Sequence, residues 1–326
     1  MIRVYGTLGP ACGKQGILTE MLCAGMTGVR LNLSHIMLKD AASDLYALRA
    51  AEAASGMQSE LLIDLQGPEV RIGALPKPLE LASGSTVKMG EDIPVSQTVL
   101  DALRPGQKVL LDDGKLLLEM TTATEAAVIR GGTLLSRKSL AIEGVDLHLP
   151  ALTAEDRINL SQAAEYGVTA VMQPFVRDAE DLITLRHALD AAGGAHIRIM
   201  AKIENRSGIE HLPELLDHCD EIIIARGDLG NAVTLLQLPS VQKDVAAVCG
   251  DAGKPFLVVT QLLASMEHAP IPTRAEVSDI FNAVLDGADS LMLTGETAVG
   301  DYPVESIRWL RNAADAAEQY RNEKTR

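Results

Sequence analysis

Eight short apolar runs recur along the chain, each closing on polar or glycine-containing residues and each followed by a segment of helical periodicity. They read as strands at residues 2–8, 29–34, 61–65, 168–172, 197–203, 221–225, 256–260 and 290–293. Strands separated by helices must pair in parallel through crossovers, and eight such units are the number that closes a (β/α)8 barrel. Between residues 74 and 144 the text changes to short β-like pieces broken by Pro76-Lys77-Pro78, Arg104-Pro105-Gly106 and Asp112-Asp113-Gly114. The fold class expected is therefore α/β, a (β/α)8 barrel over residues 1–73 and 145–326. A small β domain over 74–144 is inserted after the third strand, with Gly73 and Gly144 as its hinges.

The polar residues fall at the C-terminal strand ends, where such barrels place active sites. Side chains alternate along a strand, so Lys202 and Glu204 project to the same side. A helical segment follows at 208–218, then the strand 221–225, which stops at Arg226-Gly227-Asp228-Leu229-Gly230. Two glycines there let the backbone approach a ligand while Asp228 faces it. If those strands are parallel neighbours, Glu204 and Asp228 make a hard-cation site of the Mg²⁺ or Mn²⁺ type, with Lys202 beside it as a point charge for phosphate. A single Lys-x-Glu in an arbitrary sequence is more often a structural ion pair, and ARGDLG then only a turn.

The rest of the rim favours the site. The strand ends supply Arg30, Asn32, Ser34, Asp64, Arg71, Thr260, Thr294 and Glu296 as well. Asn32, Ser34 and Asp64 offer neutral oxygens and one carboxylate, which suits a monovalent cation. Arg30, Arg71 and Lys202 are local cations for an anionic substrate. Phosphoryl transfer asks for this inventory, because its catalysis is positioning plus positive charge around the moving group.

The net charge of −15 argues against nucleic acid or an anionic membrane as a partner. Four scattered cysteines, with no C-x-x-C spacing, indicate free thiols in a reduced compartment. The opening MIRVYGTLGPACGK lacks the charged-then-apolar pattern of a signal peptide, and no apolar run approaches membrane-spanning length. A cytoplasmic protein is expected. The run Gly9 to Lys14 is not a Walker loop, since the spacing of its glycines is short and Gln15 stands where Ser or Thr is needed.

The chain resembles pyruvate kinase over nearly all of its length. The matching segments are TLGPA (7–11), GVRLNLSH (28–35), GPEVRIG (67–73), AKIEN (201–205), ARGDLG (225–230), AGKPFLVVTQLLASM (252–266) and PTRAEVSDIFNAVLDGADSLMLTGETAVGDYP (272–303). The resemblance implies a (β/α)8 barrel with an inserted β-barrel acting as a lid, and transfer of a phosphoryl group between phosphoenolpyruvate and ADP, giving pyruvate and ATP. It assigns the divalent metal to Glu204 and Asp228, and the transferring phosphoryl group to Lys202 and Arg71. The nucleotide side falls to Arg30, Asn32 and His35, with Arg71. K⁺ falls to Asn32, Ser34, Asp64 and the Leu65 carbonyl. The substrate carboxylate would lie near Gly227, Asp228 and Thr260, and Thr260, Thr294 and Glu296 would protonate the enolate of pyruvate. Glu69 occupies the position at which a glutamate accompanies K⁺ dependence in the family.

Ile36 replaces the glycine that usually follows Ser-His, Leu65-Gln66 replaces Thr-Lys, and Gln173-Pro174-Phe175 stands where a serine precedes the phenylalanine. The chain also stops soon after Pro303, so the expectation is a protein without the family's C-terminal regulatory domain or its effector response. Any homo-oligomer would then use barrel surfaces. Two other readings fit the same residues: a Mg²⁺-dependent lyase acting through a pyruvate enolate, and a non-catalytic relative. The lyase would need neither the insertion nor the monovalent site. Arg226 and Glu221 read equally as solvated charges, and His148, His187, His196, His211, His218 and His268 as surface or capping residues. Asp112-Asp113-Gly114 reads as a hairpin turn, and Arg137-Lys138 either as a phosphate clamp or as a solvated pair.

Overall fold

The computed structural model describes residues 1–324 except 113, 146 and 148, so Asp113 and His148 lie outside the described residues. The chain divides into two compact units, Met1–Gly67 with Ala151–Arg326, and Pro68–Pro150.

In the first unit eight parallel strands close into a barrel: β1 (Arg3–Thr7), β2 (Gly28–Asn32), β3 (Glu60–Asp64), β4 (Ala170–Gln173), β5 (Arg198–Ile203), β6 (Glu221–Ala225), β7 (Phe256–Val259) and β8 (Ser290–Met292). They pair in chain order, and β8 returns to β1 with Arg3 opposite Ser290. Each lies on an expected apolar run, usually ending a residue or two earlier, and Asn32, Asp64 and Lys202 remain paired in the ladder.

Alternation then sorts the side chains. Leu257 and Val259 join Tyr5, Leu62, Met200 and Ile223 inside the barrel, whereas Phe256 and Val258 belong to the larger core formed with the helices. The same parity sends Arg30, Asp64 and Lys202 inward near the C-terminal strand ends. At the opposite end it sends in Arg3, Glu60, Arg198 and Glu221. Glu221 is not a solvated charge: it is 1% exposed and ion-paired to Arg3 at 2.9 Å and to Arg198 at 3.3 Å. Buried ions persist only when paired, and parity left Glu221 nowhere else to go.

Local sequence explains most helix ends. Thr153 accepts from Asp156 N at 3.0 Å while Asp156 Oδ2 accepts from Thr153 N at 2.9 Å, the expected capping box. Gly56 ends the helix Ala42–Ser55 at φ 71°, a left-handed conformation that suits glycine. One expectation is corrected, and the alternative that makes ARGDLG a turn falls. The segment 208–218 is no single helix but Arg206–Glu210, Leu212–Leu215 and a 3-10 turn Leu216–His218, because Pro213 can only open a helix. ARGDLG is not a turn but the start of a helix, Arg226–Ala232.

The second unit holds a five-stranded antiparallel sheet and a separate two-stranded one, Leu79–Leu81 with Gly132–Leu134. Its edges reach past 74–144 because Arg71 bridges Ser139 and Ile72 N donates to Lys138 O at 2.9 Å. Asp112, at φ 48°, opens the connection between the paired strands Lys108–Leu111 and Leu116–Met120. Lys138 is ion-paired to Asp112 at 2.8 Å. All four cysteines are free. Among the described residues no helix is long and apolar enough to cross a membrane.

Candidate active site

The inward residues of β2, β3 and β5 meet at the C-terminal rim. Asp64, 2% exposed, accepts from Arg30 Nε at 2.8 Å and Nη2 at 2.6 Å, both on Oδ2. Lys202 Nζ lies 3.3 Å from each Asp64 oxygen and 3.0 Å from Glu204 Oε1. Glu204 Oε2 accepts from Phe175 N at 2.9 Å. Phe175 holds φ 53°, a region non-glycine residues seldom adopt, and so aims its amide at the carboxylate.

The electrostatics follow from burial and neighbours. Burial alone would raise the Asp64 pKa, but Lys202 and Arg30 outweigh it and hold the carboxyl below its usual range. Burial works against the Lys202 charge, yet Asp64 and then Glu204 more than offset it, so the ammonium stays charged. Glu204 is pushed upward, chiefly by burial and then by the Asp228 and Asp64 charges, with Lys202 resisting.

Asp228 stands in the first turn of the helix Arg226–Ala232, and its charge reaches both Glu204 and Lys202. Glu204 and Asp228 thus offer carboxylate oxygens, the donor chemistry a divalent cation requires. Among the described residues no cluster of three or more His, Cys, Asp or Glu could hold a metal, so water or substrate oxygens would complete any such sphere.

Around the rim, Asn32 sits directly opposite Asp64 in the β2–β3 ladder, and its Oδ1 accepts from Ser34 N at 3.1 Å. Leu65 is buried, its amide on Met172 O at 3.1 Å. Glu296, 2% exposed, accepts from Thr294 N at 2.8 Å and Leu263 N at 3.1 Å, which ties the exits of β7 and β8 together. A cavity of about 730 Å³ opens beside Arg30, Asn32, His35 and Thr294, walled by Thr7, Gly9, Pro10, Gly13, Asp44 and Val299. A smaller hollow, near His187, His218 and Cys219, contains none of the candidate residues.

Arg71 belongs to the second unit, where it pairs with Glu69 at 2.7 Å and donates to Arg137 O at 3.0 Å. Two residues escaped the sequence reading. Arg226 is not solvated: its side chain is 12% exposed and donates to the Thr260 carbonyl and to Asp279. Asp156, read only as a helix cap, is 0% exposed and also accepts from Gln66 N at 2.9 Å and Gly67 N at 3.0 Å. An aspartate inside a capping box is a common local signal. Nothing in its sequence neighbourhood announces partners 90 residues away.

Residues 2–307 match the family model described as the barrel domain of pyruvate kinase. The chain is 38% identical to a pyruvate kinase of Aeropyrum pernix over 324 residues, covering 97% of this chain and 70% of that protein. It is 35% identical to one of Geobacillus stearothermophilus, covering 97% of this chain and 57% of the relative. With one of Methylorubrum extorquens the identity is 36%, covering 97% and 68%. The chain thus spans between 57% and 70% of the length of these relatives.

Proposed function

Because the chain belongs to the pyruvate kinase family, we propose that it transfers the phosphoryl group of phosphoenolpyruvate to ADP in the cytoplasm, yielding pyruvate and ATP. The observation that carries the reading is the Lys202 ammonium, held charged between Asp64 and Glu204 at the open end of the barrel.

Glu204 and Asp228 would hold Mg²⁺ or Mn²⁺, which when bound supplies positive charge to the substrate oxygens and to the phosphoryl group as charge builds on it. Lys202 acts on the same group from the side of β5, with no proton to gain or lose across the physiological range. Arg71, carried over by its motif, contacts the phosphate. Asn32, Ser34, Asp64 and the Leu65 carbonyl would hold K⁺, in keeping with Glu69. Arg30, Asn32 and His35 line the cavity in which the nucleotide lies.

After transfer the enolate must take a proton. Thr260, Thr294 and Glu296 serve that step, and Gly227 and Asp228 keep the substrate carboxylate near Thr260. Catalysis is then electrostatic and positional, with a proton relay at its end.

The test is pyruvate formation from phosphoenolpyruvate and ADP with Mg²⁺, with and without K⁺, on the parent and on Lys202→Met. Turnover that depends on Lys202 supports the transferase. A folded protein that binds Mg²⁺ but forms no pyruvate refutes it.

A further inference from the structure

At the start of the helix Arg226–Ala232 two consecutive residues, Arg226 and Gly227, both meet Thr260. Arg226 donates from Nε at 3.1 Å and Nη2 at 2.6 Å to the Thr260 carbonyl, and from Nη1 at 2.7 Å to Asp279 Oδ2. Gly227 lies under the Thr260 side chain: a Cβ there would stand 3.3 Å from Thr260 Cγ2 and 3.6 Å from Oγ1. Asp228 turns its charge to Glu204.

Thr260 holds φ 81° and Gln261 φ 56°. For a β-branched residue this is a genuine outlier, and such backbone persists only where the surroundings over-determine it. The Arg226 fork is that restraint. Two N–H groups of one planar guanidinium fix the carbonyl in direction as well as distance, and Asp279 pins the far edge of the fork. Gly227 then leaves the threonine side chain its place.

We propose that Arg226 is a positioning residue for the proton-transfer half of the reaction. It holds the Thr260 hydroxyl where the enolate is protonated and leaves phosphoryl transfer to Lys202. The inference rests on the role given to Thr260 above. In the step it governs, the enolate electron pair forms the new C3–H bond, the C2 carbonyl re-forms, and the proton delivered through Thr260 is replaced from water.

The readout is exchange of the pyruvate methyl protons with deuterated solvent, followed by NMR with Mg²⁺ and K⁺ present. It is paired with the KM for phosphoenolpyruvate and with Mg²⁺ affinity, on the full chain. Arg226→Gln should slow exchange and kcat on the order of 10²-fold, the cost of misplacing a reacting group by about an ångström. KM and Mg²⁺ affinity should stay at the parent values. Arg226→Lys should recover only part of the rate, since an ammonium cannot reproduce the fork. Asp279→Asn, which disturbs only the outer anchor, gives the same pattern in weaker form and serves if Arg226→Gln does not fold. Exchange at the parent rate in Arg226→Gln while Thr260→Ala is impaired overturns the inference alone. So does a loss of Mg²⁺ affinity in step with exchange, the mark of a merely structural arginine. Thr260→Ala at the parent rate overturns instead the role given to Thr260.

Discussion

Lys202 Nζ lies 3.3 Å from both carboxylate oxygens of Asp64, a residue 138 positions away, and the pair spans β3 and β5 across the end of β4. With Arg30 on the same carboxylate, the rim gathers Asp64, Glu204 and Asp228 against two cations, Arg30 and Lys202.

Lys202→Met should lower phosphoryl transfer by about 10²–10³-fold, the usual cost of losing one donor aimed at developing charge. Mg²⁺ binding should survive, because the Glu204 and Asp228 oxygens remain. Steady-state turnover beside Mg²⁺ calorimetry checks both halves.

Asp64→Asn leaves two buried cations without their shared anion. Breaking such a pair costs about 3–5 kcal/mol, visible as a lowered urea midpoint. The folded pKa of Asp64 is depressed, so its stabilisation is fully present above about pH 4 and is lost as pH falls through the lower folded value. The parent should therefore show an acid limb in its stability profile that Asp64→Asn flattens.

Mg²⁺ affinity should depend on pH through Glu204, whose pKa is raised to about 7. Below that value the carboxyl holds a proton that the cation must displace, so affinity should fall by about tenfold per pH unit and level off above it. Titrations across pH 5.5–8.5 on the parent and on Glu204→Gln test this, and a flat parent profile would refute it.

Activity should require K⁺. Equal turnover in buffer containing only Na⁺ would remove Asn32, Ser34, Asp64 and Leu65 from any monovalent site.

Asp156→Ala strips a common acceptor from the amides of Gln66, Gly67 and Thr153. Each buried donor left unpaired costs about 1–3 kcal/mol. Hydrogen exchange at Gln66 and Gly67 should accelerate ahead of the barrel strands. Unchanged protection there would mean that another acceptor replaces Asp156.

The barrel was legible because its signals are local. Alternation in 256–260 states which side chains face in, and Thr153 with Asp156 states where a helix begins. The helix Arg226–Ala232 was not legible, since two glycines in five residues speak against a helix until Arg226 finds Thr260 and Asp279. The segment 208–218 failed for the opposite reason: its apolar spacing outvoted the proline that cuts it.

The order of residues along the chain was enough to establish the eight-fold alternation, the inserted β unit, and the parity that sends Arg30, Asp64 and Lys202 to one side of their strands. It could not say that Asp64 serves Lys202, that Glu221 is buried between Arg3 and Arg198, or that Arg226 holds the Thr260 carbonyl. Parity is a property of one strand. Partnership depends on how far neighbouring strands are staggered when the barrel closes, and only closure brings the side chains of Asp64 and Lys202, and of Glu221, Arg3 and Arg198, within hydrogen-bonding distance.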